Sequence, residues 1–153
     1  MANKMNNLIM EGARLIFRNF AGAATQYNRA GKRTFSVVID DADLANTLLR
    51  DGWNVKQRPP REEGGDPTYH LPVEARFDNF PPKVVLVTRK GKNILDEESV
   101  ATLDYAEIRN ADVVISPSPW EVNGKVGVKA YLKTAYITIE EDEFADKYDM
   151  DEY

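Results

Sequence analysis

A single stretch near the end of the chain constrains the fold more than any other. Residues 120–139 read WEVNGKVGVKAYLKTAYITI, in which Asn123-Gly124 separates two runs of strand-forming residues. Asn-Gly is the strongest short hairpin signal, because both central residues of a type I′ turn need positive φ. The residues after the turn alternate, which places one face on a core and leaves the other basic: Val126, Val128, Ala130 and Leu132 point inward, and Lys125, Lys129, Tyr131 and Lys133 point outward.

The rest of the chain predicts many short strands and two small helices. Residues 41–52 predict a helix capped by Asp41 or Asp43, and residues 95–104 predict a second one. Pro72 favours an edge position or a bulge in its strand. We therefore predict an all-β fold, an antiparallel barrel or sandwich. A helix just before the last extended segment and hairpin is the element order of an OB-fold barrel. Strands are predicted at residues 13–20, 32–39, 53–57, 69–77, 83–88, 106–116 and 120–139.

Charge divides the chain into two parts. The 153 residues carry a formal net charge of −5, but residues 1–139 hold 19 Lys and Arg against 17 Asp and Glu. Residues 140–153 hold eight acids and one Lys. We predict one globular domain over residues 1–139 and a disordered acidic tail over residues 140–153. The absence of Cys excludes disulfides and thiolate metal sites, and no apolar run approaches the ~18 residues of a membrane span.

Basic residues of the predicted domain cluster in four windows without acids. These windows contain 15 of the 19 Lys and Arg residues, and they cover residues 12–39, 52–61, 79–95 and 122–139. Segregation of this kind can produce a basic surface that attracts polyanions. Aromatic residues lie between the cations in these windows, and single-strand binding needs cations for phosphates and flat rings for bases.

The final hairpin resembles that of bacteriophage single-stranded DNA-binding proteins of the OB-fold type. In that group the hairpin has the form NGK-x-G-[VI]-K-x-Y-L, matched here by Asn123, Gly124, Lys125, Gly127, Val128, Lys129, Tyr131 and Leu132. The opening EGARLIFRNF and the acidic, aromatic end are also similar. The resemblance implies a protein that coats unwound DNA in replication or recombination, largely regardless of sequence and without catalysis or cofactor. The segment over residues 32–57 is an addition to the plain five-stranded barrel.

Nucleic-acid contacts are predicted for basic and aromatic residues of the acid-free windows and strand starts. Any single aromatic residue can instead belong to the core, as Phe17, Phe35 and Phe77 are expected to, and Trp120 can serve packing or stacking. The predicted set is Arg14, Arg18, Phe20, Tyr27, Arg29, Lys32, Arg33, Trp53, Lys56, Arg58, Arg61, Arg89, Lys90, Lys92, Trp120, Lys125, Lys129, Tyr131 and Lys133.

The acidic tail contains apolar residues that a merely solvating segment does not need. Phe144, Tyr148 and Tyr153 interrupt the acids. Apolar anchors supply affinity for a partner while acids steer the encounter. We predict that the tail competes with DNA for the basic surface and recruits a replication protein such as a polymerase or helicase.

Other functions have weaker support in the sequence. His70 is the sole histidine, and the carboxylates of Asp40, Asp41 and Asp43 are explained more simply by a helix cap than by a metal. No phosphate-binding loop or nucleophile motif occurs. The main alternative is a phage protein–protein module or DNA mimic, and a nuclease comes third. We expect the cytoplasm of a bacterial host as location, and the oligomeric state stays open, with a homodimer among the alternatives.

Overall fold

The computed structural model describes residues 5–26, 28–78 and 81–141. In this part of the chain nine strands, one α-helix and one 3₁₀ helix follow in the order β1 (Leu8–Met10), β2 (Leu15–Asn19), β3 (Arg33–Ile39), α1 (Ala42–Arg50), β4 (Lys56–Arg58), β5 (Thr68–Ala75), β6 (Lys83–Thr88), β7 (Gly91–Leu95), the 3₁₀ helix (Val100–Asp104), β8 (Ile108–Val122) and β9 (Lys125–Ile139). No helix in the described ranges is long and apolar enough to cross a membrane.

The strands form one sheet in the order β1-β8-β9-β5-β3-β2, whose two ends are consecutive in the chain. The segment between β1 and β2 forms hydrogen bonds with two other strands. Ala13 N donates to Ala111 O of β8 at 2.7 Å, and Val38 N of β3 donates to Arg14 O at 2.9 Å. The sheet therefore curls into a partly open barrel. This confirms the predicted OB-fold-like, β-rich class. The sheet is mixed rather than wholly antiparallel, since β9 runs parallel to both β5 and β6.

The β8–β9 hairpin is the longest element pair and follows the prediction closely. Asn123 and Gly124 form its turn with φ of 51° and 80°. Val128, Ala130 and Leu132 are buried, as the alternation predicts, whereas Val126 is exposed near the turn. One register shift makes Lys133 an extra, unpaired residue on β9, because Leu132 pairs with Ile115 and Thr134 with Val114. This bulge reverses the alternation beyond it, so Ala135 and Ile137 are the buried residues there.

The core lies inside the barrel and is filled by side chains of every long strand. Phe20 and Phe35 stack with ring centres 5.0 Å apart. The 3₁₀ helix contributes Val100 and Leu103, both fully buried. It covers only part of the helix predicted at residues 95–104.

Helix α1 begins where a side-chain cap satisfies its first amides. The Asp41 carboxylate accepts from Asp43 N at 2.9 Å and from Leu44 N at 3.3 Å, so Asp41 is the cap. Residues 56–58 form β4, slightly later than the strand predicted at residues 53–57. Strands β1 and β7 were not predicted, because each is short and lacks a clear alternation of apolar and polar residues.

Candidate nucleic-acid interface

A gap in one edge of β5 opens a groove on the outside of the barrel. Strand β4 pairs with β5 at residues 68–70, and β9 pairs with β5 at Glu74 opposite Tyr131. Pro72, which has no N–H to donate, lies between these two pairings. A groove of about 490 Å³ opens at this gap, and its lining includes Lys32, Thr34, Pro72, Glu74, Trp120 and Lys129.

The two sides of the groove come from the β8–β9 hairpin and from residues 52–54. Trp120 pairs across the hairpin with Gly127 and is 45% exposed. A Cβ atom on Gly127 would lie 2.6 Å from the Trp120 ring, so the indole packs directly on the glycine backbone. On the other side, Val128 N donates to Gly52 O at 2.9 Å. Gly127 therefore leaves room for the Trp120 ring, and this contact holds the ring in position at one side of the groove.

The floor of the groove combines a cation, a tyrosine and a buried carboxylate. Lys129 Nζ lies 2.8 Å from Glu74 Oε1 and 5.4 Å from the centre of the Tyr131 ring. Glu74 is only 8% exposed, which makes this ion pair a fixed part of the floor. Loss of this lysine would leave a buried carboxylate unpaired, which is costly.

A second cavity of about 470 Å³ continues along β9 beyond the groove. Arg76, Ser116, Ser118, Tyr131 and Lys133 are among its lining residues. The Arg76 guanidinium donates to both carboxylate oxygens of Asp78, at 3.2 and 3.0 Å. This pairing, together with a hydrogen bond to Tyr131, raises the pKa of Arg76. The outer face of β9 therefore offers cations and a tyrosine ring over two adjacent depressions. This arrangement suits a polyanion with flat bases.

A separate aromatic and basic cluster lies on the outer face near β4; we refer to Phe17, Arg58 and His70 as the Phe17 cluster. The Phe17 ring meets His70 edge-on, with centres 5.4 Å apart and an interplanar angle of 72°. The Arg58 guanidinium lies 5.2 Å from the Phe17 ring centre. Burial, followed by the charges of Arg58 and Lys56, lowers the pKa of His70. The imidazole is therefore neutral at pH 7.

The structure brings one part of the predicted set to the groove and another part to the Phe17 cluster. Lys32, Trp120, Lys129, Tyr131 and Lys133 line the groove and its continuation. Arg14, Arg58 and Arg61 line a cavity of about 220 Å³ beside His70, and Lys56 is exposed on β4. Lys125 is exposed at the hairpin turn and Arg29 in the loop between β2 and β3.

Two predicted stacking residues belong to the core instead. Phe20 is 1% exposed and packs against Phe35. Trp53 is 5% exposed and forms a bridge to Val128, so it supports the groove from beneath. Neither ring has a free face for a base. Phe20 and Trp53 lie in segments of alternating residues, and the sequence does not show which face of each segment is buried.

Two predicted phosphate contacts are used inside the protein. The Arg18 guanidinium donates to Leu103 O and Ala106 O, both at 2.7 Å, and so ties β2 to the 3₁₀ helix. Arg33 donates to Phe20 O and lies 3.6 Å from Glu97. These contacts give the two guanidinium groups structural roles within the barrel, and their predicted contact with DNA stays a prediction.

The third acid-free window lies far from the groove. Arg89, Lys90 and Lys92 occupy the β6–β7 turn, beside the end of β9, where Val87 pairs with Thr138. Thr138 is nine residues beyond Lys129, or about 30 Å along a strand. Arg89 N donates to Glu141 Oε2 at 2.9 Å. The structure therefore does not bring these three cations to the groove, and the predicted residues Tyr27, Phe144, Tyr148 and Tyr153 lie outside the described residues.

Sequence reasoning missed several residues of this face. Phe17 was expected in the core but is 56% exposed, because a register shift between Ile16 and Asn19 turns it outward. Glu74 and Arg76 were not considered, since acids and isolated arginines carry no single-strand-binding signal. The alternation of His70 with buried Leu71 and Val73 does indicate that His70 points outward, and this signal could have been used.

A partly open barrel with an aromatic and basic groove outside is the architecture of an oligonucleotide-binding OB-fold domain. The sequence matches the model of the family described as "Putative phage ssDNA-binding domain" over residues 1–151. The chain belongs to this family. None of the curated proteins compared with the chain matches it in sequence.

Solved structures show the same fold. The chain is similar to the single-stranded DNA-binding protein from bacteriophage Enc34 in complex with ssDNA, with a TM-score of 0.59 and 10% identity over 90% of this chain and 89% of that one. A second structure of the bacteriophage Enc34 single-stranded DNA-binding protein gives a TM-score of 0.56 and 11% identity, over 94% of this chain and 90% of that one. At such low identity the likeness concerns the fold alone.

Proposed function

We propose that this phage single-stranded DNA-binding domain holds its strand in the groove between β5 and the β8–β9 hairpin. The observation that carries the proposal is the coincidence of the β5 gap with Trp120, Lys129 and Tyr131. Bases stack on the two rings and phosphates meet the cations at the edges. Since every base has a flat face, binding of this kind depends little on sequence.

Lys129 gains a second partner when DNA binds. In the free protein its ammonium is paired with Glu74 at 2.8 Å. A phosphate approaching along β9 offers a second anion, and Lys129 pairs with it while its stem stays beside the Tyr131 ring. Arg76, which hydrogen bonds to Asp78 hold in position, supplies the next cation along the strand. The protein coats DNA without making or breaking covalent bonds.

The acidic residues 140–153 act as a competitor for the same cations. A tethered segment faces the barrel at an effective concentration in the millimolar range. The first two acids contact cations at the far end of the sheet, where Glu141 lies 3.7 Å from Arg89 and Glu140 lies 4.0 Å from Arg109. At ~3.3 Å per extended residue, the rest of the tail is long enough to reach the groove cations. DNA displaces the remaining acids, which become available to a replication or recombination protein of the phage in the bacterial cytoplasm, with Tyr153 as an anchor.

Tryptophan fluorescence tests the groove directly. Of the two tryptophans, Trp120 lines the groove and is exposed, whereas Trp53 is buried. Titration with poly(dT) at about 50 and 200 mM salt should quench the emission, with weaker binding at the higher salt. The Trp120→Phe variant should still bind, as judged by fluorescence anisotropy of labelled DNA, but should lose most of the quench. Absence of binding at both salt concentrations would favour the protein–protein module or DNA mimic instead.

Deletion of residues 140–153 tests the competition. The truncated protein should bind oligo(dT) more tightly than the full chain, above all at ~50 mM salt where screening is weak. Tyr153→Ala should leave DNA affinity unchanged and weaken recruitment of the phage polymerase or helicase. Equal DNA affinity of the truncated and full chains would leave the tail as a docking segment or a solubilising one.

A further inference from the structure

Phe17 has a backbone conformation that a bulky residue rarely adopts. Among the described residues, Phe17 and Asn123 are the non-glycine residues with positive φ, and Asn123 occupies the hairpin turn that requires it. Phe17 has φ of 52° in the middle of β2, where the register shift lies. Such a conformation costs free energy and persists only when the surrounding structure imposes it. Its result is an aromatic ring that points into solvent rather than into the core.

Two neighbours fix the exposed ring in place. His70 contacts its edge and the Arg58 guanidinium lies over its face. His70 Nδ1 is buried without a hydrogen-bond partner, which a neutral imidazole tolerates better than a charged one. Arg58 comes from β4, which belongs to the segment added to the plain five-stranded barrel. The Phe17 cluster therefore adds β2 and β4 to β5, which it shares with the groove.

The charge around the cluster is mainly positive. Arg14, Arg58 and Arg61 line the cavity next to His70, with Asp40 as the one acid of that lining. Lys56 is exposed and pairs in register with His70. An exposed aromatic ring alone is unremarkable on a protein surface. A strained ring with one guanidinium over its face, next to a cavity lined by three arginines, matches the chemistry of a nucleotide, with a flat base and a phosphate.

We propose that the Phe17 cluster is a second nucleotide-binding site, which holds a base on the Phe17 ring and its phosphate on Arg58. The incoming base takes the ring face over which Arg58 lies, and the guanidinium moves onto the phosphate, with Arg14 and Arg61 at either side. The neutral His70 supports the ring edge without adding a charge. This inference rests on the proposed groove, because the ligand is a further part of the same DNA strand.

The spacing along β5 joins the two sites. His70 and Glu74 lie on the same face of β5, four residues apart, or about 13 Å. This distance equals about four stacked nucleotides at 3.4 Å each. Pro72 lies midway on that face and also lines the groove. A strand that leaves the groove at Glu74 therefore crosses Pro72 and reaches Phe17 with the next few nucleotides.

Oligonucleotide length separates the second site from the groove. We would measure the affinity of the full chain for oligo(dT) of about 4 and about 12 nucleotides, lengths within the range of one OB fold. Phe17→Leu keeps an apolar side chain but removes the ring. It should weaken binding of the longer oligonucleotide roughly 5- to 150-fold, the range for one lost stacking contact, and leave the shorter one unchanged. Phe17→Trp should restore the affinity.

A charge variant makes the test independent of how Phe17→Leu folds. Arg58→Ala should lower the salt slope by ~0.7 for the longer oligonucleotide alone. Wild-type behaviour of both Phe17→Leu and Arg58→Ala on the longer oligonucleotide would overturn the second site. If Tyr131→Ala still weakened both lengths in that case, the proposed groove would stand. Failure of the wild-type protein to bind either length would overturn the groove, and the second site with it.

Discussion

Both halves of β9 carry a tyrosine with a lysine near its ring, but the first lysine belongs to β9 itself and the second belongs to β6. In its first half Lys129 lies 5.4 Å from the Tyr131 ring, and in its second half Lys83 lies 5.5 Å from the Tyr136 ring. Tyr131 stands where β9 meets β5 at one residue pair. Tyr136 stands within five continuous pairs with β6.

The comparison shows that a tyrosine and a lysine side by side do not make a binding site unless the strand edge beside them is open. Lys129 and Tyr131 share one face of β9, whereas Tyr136 receives its lysine from the neighbouring strand β6, so a lysine beside a tyrosine ring is common to both halves. The groove exists only where the neighbouring edge is interrupted, at Pro72. We therefore expect the first half to bind DNA and the second half to serve stability. Matched variants at the two ends of the sheet test this distinction.

The largest effect is expected from removal of one ring. Tyr131→Ala should weaken binding to oligo(dT) by about 1–3 kcal/mol through lost stacking. The matched variant Tyr136→Ala should bind like the wild type. Both affinities are measurable by anisotropy of labelled oligonucleotide, with circular dichroism to verify folding. Equal losses in the two variants would end the distinction between the halves.

A methyl group at a glycine should have a smaller effect. Gly127→Ala places a Cβ atom 2.6 Å from the Trp120 ring, so the indole must move, and DNA binding should weaken by about 1 kcal/mol, the lower limit for one stacked base. Gly91, at the opposite end of the sheet, has φ of 132° and open space around it.

Gly91→Ala is the matched control for this prediction. It should lower the melting temperature through backbone strain and leave DNA affinity unchanged. Unaltered binding by Gly127→Ala would mean that Trp120 is packing rather than part of the DNA site.

Removal of one lysine should change the salt dependence more than the affinity itself. Lys129→Ala should lower the slope of log K against log salt by ~0.7, the value for one lost single-strand phosphate contact. Lys83→Ala should keep the wild-type slope. Titrations at four salt concentrations give both slopes, and a reduced slope for Lys83→Ala would extend the DNA path to the second half of β9.

The smallest effect concerns stability and pH at the Phe17 cluster. The pKa of His70 is lowered in the folded protein, so the unfolded chain, with a pKa near ~6.5, binds more protons as the pH falls. The free energy of unfolding should therefore decrease between pH ~6.5 and the lower folded pKa. Urea denaturation at pH 7.5 and 5.5 should show a smaller decrease for His70→Gln. An equal decrease would remove His70 as the cause.

Sequence signals between neighbouring residues predicted the fold well. Pairing between strands that are distant in sequence determines which side chains reach the candidate site. Asn123-Gly124, the buried face of β9 and the Asp41 cap all depend on neighbours in sequence. The outward turn of Phe17 depends on a register shift against β3, and the Lys133 bulge depends on the pairing of β8 with β9. Neither the register shift nor the bulge can be recognised from the types of residue involved. Alternation therefore predicts the correct face only as far as the first bulge.

Segregation of charge along the chain was an incomplete guide for the same reason. Four basic windows were identified, but Arg18 and Arg33 bond within the barrel and the window around Arg89 lies at the far end of the sheet. Which windows become neighbours is decided by the parallel contacts of β9 with β5 and β6. Those contacts join segments about 50 residues apart, and single-sequence patterns do not encode them.

The gap at Pro72 also bears on how copies of this protein behave toward one another. An unpaired strand edge is a template onto which another chain can add a strand, which leads to aggregation or exchange of segments. Proline offers no N–H donor and interrupts the ladder that such a strand would need. The short exposed length between the pairings of β4 and β9 limits it further. The same residue that leaves the groove open thus hinders edge-to-edge pairing between two copies of the chain.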